Sequence, residues 1–238
     1  LIDALRSGRY SRSRIATFLD AFPLDLAALV LPLLDDPDPM LRYWGAVLAR
    51  RYPAVSERLE QLTDDPEPLV RKAALDTCGV TGGTWVPTAA RRRLTDPIFY
   101  VRAHAARALG RRRHAEAAGE VAALLADPDW RVRYSAKRAL EAMGQAAEPA
   151  ALAQLQSPDR FARNGAAEVL QNLAVLERLV IAEAAGPPDP ARGKALVALY
   201  GLFRLGQNLM PAVNDLLLGY LLYPSRLVPR ILPVLGFI

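Results

Sequence analysis

Asp127-Pro128-Asp129-Trp130-Arg131-Val132-Arg133 decides the fold, because the chain repeats its pattern at a nearly constant interval. Asp65-Pro66 leads to Arg71, and Asp96-Pro97 to Arg102, with the same internal spacing. Further out, Pro37 to Arg42 and Pro158 to Arg163 keep the offset, so prolines recur at 37, 66, 97, 128 and 158. A worn sixth copy follows at Pro188, where Gly193 stands in the arginine's place. A period of about thirty residues marks units that cannot bury their apolar faces alone and must stack on neighbours.

Inside each copy the helical period sorts positions into faces. Counting from the repeated arginine as zero, positions −1, +3, +6 and +7 are Val70, Ala74, Thr77 and Cys78, then Val101, Ala105, Ala108 and Leu109. Val132, Ala136, Ala139 and Leu140 continue the series, and Ala162, Ala166, Val169 and Leu170 close it. These offsets share one stripe of a 3.6-residue helix, which is therefore the buried stripe. Upstream of each proline lies a shorter apolar stretch: Leu24 to Leu34, Val55 to Leu62, Val86 to Leu94, Ala115 to Leu125 and Pro149 to Leu155. Each unit thus reads as a helical hairpin. Gly110 and Gly144 stand where a left-handed C-terminal cap is expected, and Gly79 to Gly83 reads as a turn.

The composition agrees. The 238 residues are 52% hydrophobic but only 7% aromatic, so the core is built from small side chains that let helices approach closely. A single cysteine, Cys78, excludes an internal disulfide and a cysteine-based zinc site, and its place on the buried stripe makes it an inert core thiol. The start at Leu1, without a basic-then-apolar leader, reads as a domain of a longer protein with no secretory signal.

The pattern resembles HEAT repeats, specifically the short HEAT-like class found in phycobilisome lyase subunits. The residues that carry the likeness are Asp127 to Arg133 with Ala136 and Ala139-Leu140, and Asp96-Pro97 through Val101-Arg102 with Ala105 and Ala108-Leu109-Gly110. It covers roughly residues 30 to 175. It implies an all-α, right-handed α-solenoid (superhelix) of five to six HEAT-like helical hairpins. The organisation expected is a divergent N-terminal repeat or cap over 1–35, regular repeats over 36–186, and a degenerate last repeat with a hydrophobic cap over 187–238. The resemblance also implies that Arg42, Arg71, Arg102, Arg133 and Arg163 form a structural ladder with the aspartates of successive turns, binding turn carbonyls.

Function is then expected on the other stripe of the second helices, at −2, +1, +5 and +8, which such repeats turn to their concave side. The residues singled out there are Tyr43, Lys72, Tyr100, Arg107, Arg131, Tyr134, Arg138 and Asn164. Tyrosine and arginine join large contact area to a polar tip, and both are enriched where proteins grip partners. The expected role is a non-catalytic scaffold presenting this face to a protein partner. The alternative is a nucleic-acid binder, since 30 basic residues against 25 acidic ones give net +5, and the runs Arg91-Arg92-Arg93 and Arg111-Arg112-Arg113 form a basic edge. A second alternative is a membrane-proximal interaction domain whose hydrophobic C-terminus meets a bilayer, an anionic membrane surface being the partner. The expected location is cytoplasmic or membrane-proximal.

No catalytic constellation emerges. There are two histidines, His104 flanking the core and His114 in a turn, with no His-x-x-x-His pair and no glycine-rich phosphate loop. Attachment chemistry of the lyase kind would require a bilin pocket, and no residues here mark one. The chain reads as not an enzyme, with no metal and no small-molecule cofactor.

Overall fold

The computed structural model describes residues 11–21, 27–52 and 55–173, together with Leu5 and Ser7. The hydrophobic C-terminal cap and the worn repeat at Pro188 lie outside these residues. All regular structure among the described residues is helical. The helices are α1 (Arg12–Ala21), α2 (Ala27–Leu34), α3 (Pro39–Leu48), α4 (Ser56–Leu62), α5 (Pro68–Thr81), α6 (Val86–Arg93) and α7 (Phe99–Arg111), then α8 (Ala118–Ala123), α9 (Trp130–Met143), α10 (Glu148–Gln154) and α11 (Arg160–Asn172). The chain divides into two compact units, Leu1–Met143 and Gly144–Ile238. In the first, α2/α3, α4/α5, α6/α7 and α8/α9 pair as hairpins, and the second helices α3, α5, α7 and α9 stack in that order. In the second unit α10 packs against α11. Among the described residues no helix is long and apolar enough to cross a membrane.

The aspartate of the repeated motif makes the turn. Asp65 Oδ1 accepts the Glu67 N–H at 2.8 Å, Asp96 Oδ1 that of Ile98 at 3.0 Å, and Asp127 Oδ1 that of Asp129 at 2.9 Å. This side-chain turn holds the proline outside the helix, and the second helix starts two residues later. Ahead of α3, α9 and α11 the preceding residue then caps the helix: Asp38 accepts from Met40 N–H at 2.9 Å, Asp129 from Arg131 N–H at 2.8 Å and Asp159 from Ala162 N–H at 2.8 Å, whereas Ile98 before α7 makes no side-chain cap.

The inward stripe is closed. All sixteen positions read as buried, from Val70 to Leu170, are buried in the structure. Leu33, Leu59, Val86, Val121 and Ala151 of the first helices are buried as well. Two local expectations are corrected. Gly110 lies inside α7, and the left-handed residue that ends this helix is Arg113 at φ 49°, with His114 N–H returning to Leu109 O at 3.0 Å. Glycine is needed at 110 for packing: a Cβ there would stand 2.6 Å from Ala139 Cα, so α7 and α9 touch backbone to backbone. Gly79 likewise belongs to α5, and the turn sits at Gly82-Gly83. Gly144 does take the left-handed cap, at φ 70°.

Candidate partner-binding face

Two series of ion pairs link successive hairpins. In the first, Arg42 is bidentate on Asp65 (2.7 and 2.9 Å), Arg71 on Asp96 (2.9 and 3.0 Å) and Arg102 on Asp127 (2.7 and 2.9 Å). Each arginine reaches the aspartate of the following turn while its free Nη1 donates to two carbonyls of its own turn. For Arg71 these are Asp65 O at 2.8 Å and Pro66 O at 3.1 Å. Arg133 holds Asp127 O and Pro128 O, and Arg163 holds Ser157 O and Pro158 O, in the same way. Planar guanidinium suits this double duty because its five donors fork in fixed directions. The Arg71–Asp96 pair is the most enclosed, with Asp96 sealed from solvent at its side chain. Burial pushes the Asp96 pKa up, but hydrogen bonds from Arg71 and the Ile98 N–H outweigh it and leave the carboxyl below its ordinary value.

The second series runs along the first helices. Asp35 pairs with Arg58, Asp64 with Arg92 and Arg93, and Glu120 with Arg91. The Arg91-Arg92-Arg93 run is thus matched by carboxylates of the neighbouring hairpins. In the other run, Arg111 Nη1 donates to Asp76 Oδ1 at 2.9 Å. Asp76 also faces His104 Nδ1 at 3.4 Å and Arg107 at 4.0 Å. The close approach of His104 first, then the charges of Arg111 and Arg107, outweigh desolvation and hold the Asp76 carboxyl far below the usual range.

The −2, +1, +5, +8 stripe is unevenly exposed. Ala103, placed on it by periodicity, is buried, a correction that follows from the close approach of the second helices. Tyr43 is half-buried against the core and meets Trp44 edge to face at 5.2 Å. Lys72 and Tyr100 are half-buried, and Arg107 is exposed beside Asp76. On α9 the face opens: Tyr134 is 54% exposed, Arg138 pairs with Glu141 at 2.5 Å, and Lys137 Nζ stands 6.0 Å from the Tyr134 ring. Asn164, on α11 of the second unit, is exposed.

The largest exposed aromatic among the described residues, Trp130 at 64%, was not singled out from the sequence, because position −3 falls beside the counted stripe. It flanks Arg131, whose guanidinium lies 3.8 Å over the Phe99 ring of α7 and is clamped by Asp129 at 2.7 and 3.0 Å. Asp129 is held at a pKa of about 2, first by the hydrogen bond from Arg131. The arrangement is a preset platform: Phe99 and Tyr100 edge to face at 5.3 Å, Arg131 stacked on one ring, Trp130 and Tyr134 open beside it.

Among the described residues no group of three or more His, Cys, Asp or Glu side chains is placed to hold a metal. Cys78 is buried with its Sγ 3.3 Å from Leu75 O, and burial pushes its thiol up to about 12.

Comparison with known proteins agrees with this geometry. Residues 86–171 match the HEAT_2 family, HEAT repeats, and residues 160–238 match a domain of unknown function, DUF4386. No curated protein sequence matches the chain. Among solved structures, the complex of CpcE and CpcF of phycocyanin lyase from Nostoc sp. PCC7120 is similar over 75% of this chain and 77% of that one, at 24% identity and a TM-score of 0.52. An engineered protein is similar over 77% of this chain and 98% of its own, at 19% identity and a TM-score of 0.49. The described residues are thus all-α with a fold like that of the CpcE–CpcF complex, and the stretch from Val86 to Gln171, with its Asp-Pro turns and stacked second helices, is an array of HEAT repeats.

Proposed function

We propose that this protein is a non-catalytic scaffold that binds a protein partner on the exposed side of its second helices. The observation that carries the reading is the α7–α9 platform, where Trp130 and Tyr134 are more than half exposed beside an arginine already stacked and ion-paired. Large aromatics left in water on a preorganised surface are the usual anchors of protein interfaces, since they bury much area at little ordering cost. Tyr100, Arg107, Arg131, Tyr134 and Arg138 are the residues assigned to contact, with Tyr43 and Lys72 on α3 and α5 of the same unit and Asn164 assigned on the second unit by itself. Second helices stacked in order suit such a role, and the similar CpcE–CpcF structure is itself a complex of two proteins.

The charge distribution favours a protein over nucleic acid. Of the arginines that suggest a basic edge, Arg91, Arg92, Arg93 and Arg111 already face carboxylates, as do Arg107, Arg131 and Arg138 on the face itself. The test compares proteins retained from a lysate of the source cells by the wild-type chain and by Trp130→Ser and Tyr134→Ser, each with helical content and unfolding midpoint unchanged. Proteins retained by the wild type and lost from both variants are expected, with little change between 50 and 200 mM salt. Identical retention by the variants, or retention of nucleic acid that falls steeply over that salt range, overturns the reading.

A further inference from the structure

The first turns of the second helices carry a large apolar or aromatic residue outside the core in each hairpin of the first unit, exposed on α3, α5 and α9 and half-buried on α7. Met40 stands on α3, Leu69 on α5, Phe99 and Tyr100 on α7, and Trp130 on α9. Met40, Leu69 and Tyr100 share position −2; on α9 that position is Arg131, which lies flat over Phe99, with Trp130 adjoining. A buried core residue would recur here for packing, yet Met40 and Leu69 are 38% and 43% exposed. Because α3, α5, α7 and α9 stack in sequence, these side chains form a row crossing four helices.

The spacing of the row selects a conformation for what lies on it. Packed helix axes stand about 8–10 Å apart. A polyproline II segment repeats each face every third residue and rises about 9 Å in doing so, whereas a β-strand alternates faces and puts every third side chain on the wrong one. Aromatic and flat apolar platforms are also the surfaces on which such segments dock. Charge narrows the chemistry further. Asp38 and Glu67 adjoin Met40 and Leu69 and hydrogen-bond only backbone N–H groups, at 2.9 and 3.5 Å. The nearby arginines Arg42, Arg71, Arg102 and Arg131 each hold a carboxylate, and Lys72 stands one turn further along α5.

We propose that the Met40–Leu69–Tyr100–Trp130 row binds an extended polyproline II segment of a partner protein, about ten residues long, with an apolar residue or proline at every third position and Lys or Arg between them toward the Asp38–Glu67 end. This names the partner class for the scaffold role above and rests on it. The segment brings its conformation with it, so little order is lost on docking.

The experiment pans a random dodecamer display library on the full chain, then measures the best binder, made as a labelled synthetic peptide, by fluorescence anisotropy. Enriched sequences are expected to share a three-residue apolar or proline period with basic residues between, and their affinity is expected to fall tenfold or more in Leu69→Ser and in Met40→Ser. Both positions are exposed, and an unchanged unfolding midpoint confirms that the fold survives. Enriched sequences without that period, affinity unaltered in both variants, or no enrichment overturns the inference. Enriched sequences lacking the period that still depend on Trp130 and Tyr134 sink the polyproline II segment and leave the scaffold standing. Peptide binding and lysate capture that both ignore Trp130 and Tyr134 sink the two together.

Discussion

Arg71→Met removes a single guanidinium head and leaves its aliphatic stem, which isolates the polar work of the turn. Four acceptors lose a donor: both oxygens of Asp96 and the carbonyls of Asp65 and Pro66. Breaking a buried ion pair by deleting one partner costs about 3–5 kcal/mol. Asp96 keeps the Ile98 N–H at 3.0 Å and a long contact from Arg93 at 3.4 Å, and Pro66 O is only part-buried, so the lower end applies, about 3 kcal/mol. The assay is urea unfolding of the full chain followed by tryptophan emission. All three tryptophans, Trp44, Trp85 and Trp130, lie within Leu1–Met143, so the signal reports the unit that holds the pair. With a slope near 2 kcal/mol per molar urea, the midpoint falls by about 1.5 M.

A companion variant sharpens the result. Asp96→Asn keeps an acceptor for the Ile98 N–H while removing the stranded charge, so Arg71→Met/Asp96→Asn is expected to be more stable than the sum of the single losses by about 0.5–3 kcal/mol. A loss below about 0.5 kcal/mol for Arg71→Met, the size of an ordinary exposed pair, or strict additivity in the double variant, refutes the account of the turn.

Gly110→Ala forces a Cβ against Ala139 Cα and Cβ and is expected to cost about 1–3 kcal/mol. Gly119→Ala, inside α8 with no atom within 4 Å of the added methyl, is expected to stabilise by about 0.5–1 kcal/mol; the two urea midpoints must move in opposite directions. The carboxyls of Asp76 and Asp96 sit below their ordinary values in the folded chain, so their stabilisation is fully present above the unfolded pKa of about 4 and is lost as pH falls through the folded values. The unfolding midpoint should therefore hold from pH 7 to about 5 and drop below about 4, with a shallower drop in Arg71→Met. Cys78, with its thiol at about 12, should resist Ellman's reagent until urea opens the fold; rapid native labelling would contradict its burial.

Much of the fold is legible as letters at fixed intervals. Val101, Ala105, Ala108 and Leu109 recur in kind thirty residues on, and a stripe of that period has only one side to hide. What periodicity cannot supply is the distance between helices. Gly110 reads as a helix cap until Ala139 is placed against it, and Ala103 reads as exposed until its neighbours close in. The charged residues show the same limit. Arg91-Arg92-Arg93 is a basic cluster in one dimension, but Asp64 and Glu120, each nearly thirty residues away, become its neighbours once hairpins stack. Trp130, at −3, lies beside the counted stripe, and its exposure of 64% is a matter of packing that spacing does not carry.

The fate of the arginines also decides how the net charge of +5 should be interpreted. A pI near 9.6 invites a reading in terms of phosphates, yet phosphate binding requires guanidinium groups whose fields extend into solvent. Here Arg42, Arg71 and Arg102 are turned inward to bind one turn to the next, while Arg91, Arg92 and Arg93 lie against carboxylates of adjacent hairpins. An anion approaching the first-helix side must compete with Asp64 and Glu120, which are already in place. On the second-helix side Arg131 is flattened over Phe99 and tied to Asp129, so its charge is already matched within the chain. Among the described residues, the positive charge of Arg42, Arg71, Arg102 and Arg91 to Arg93 therefore acts in the stacking of the repeats.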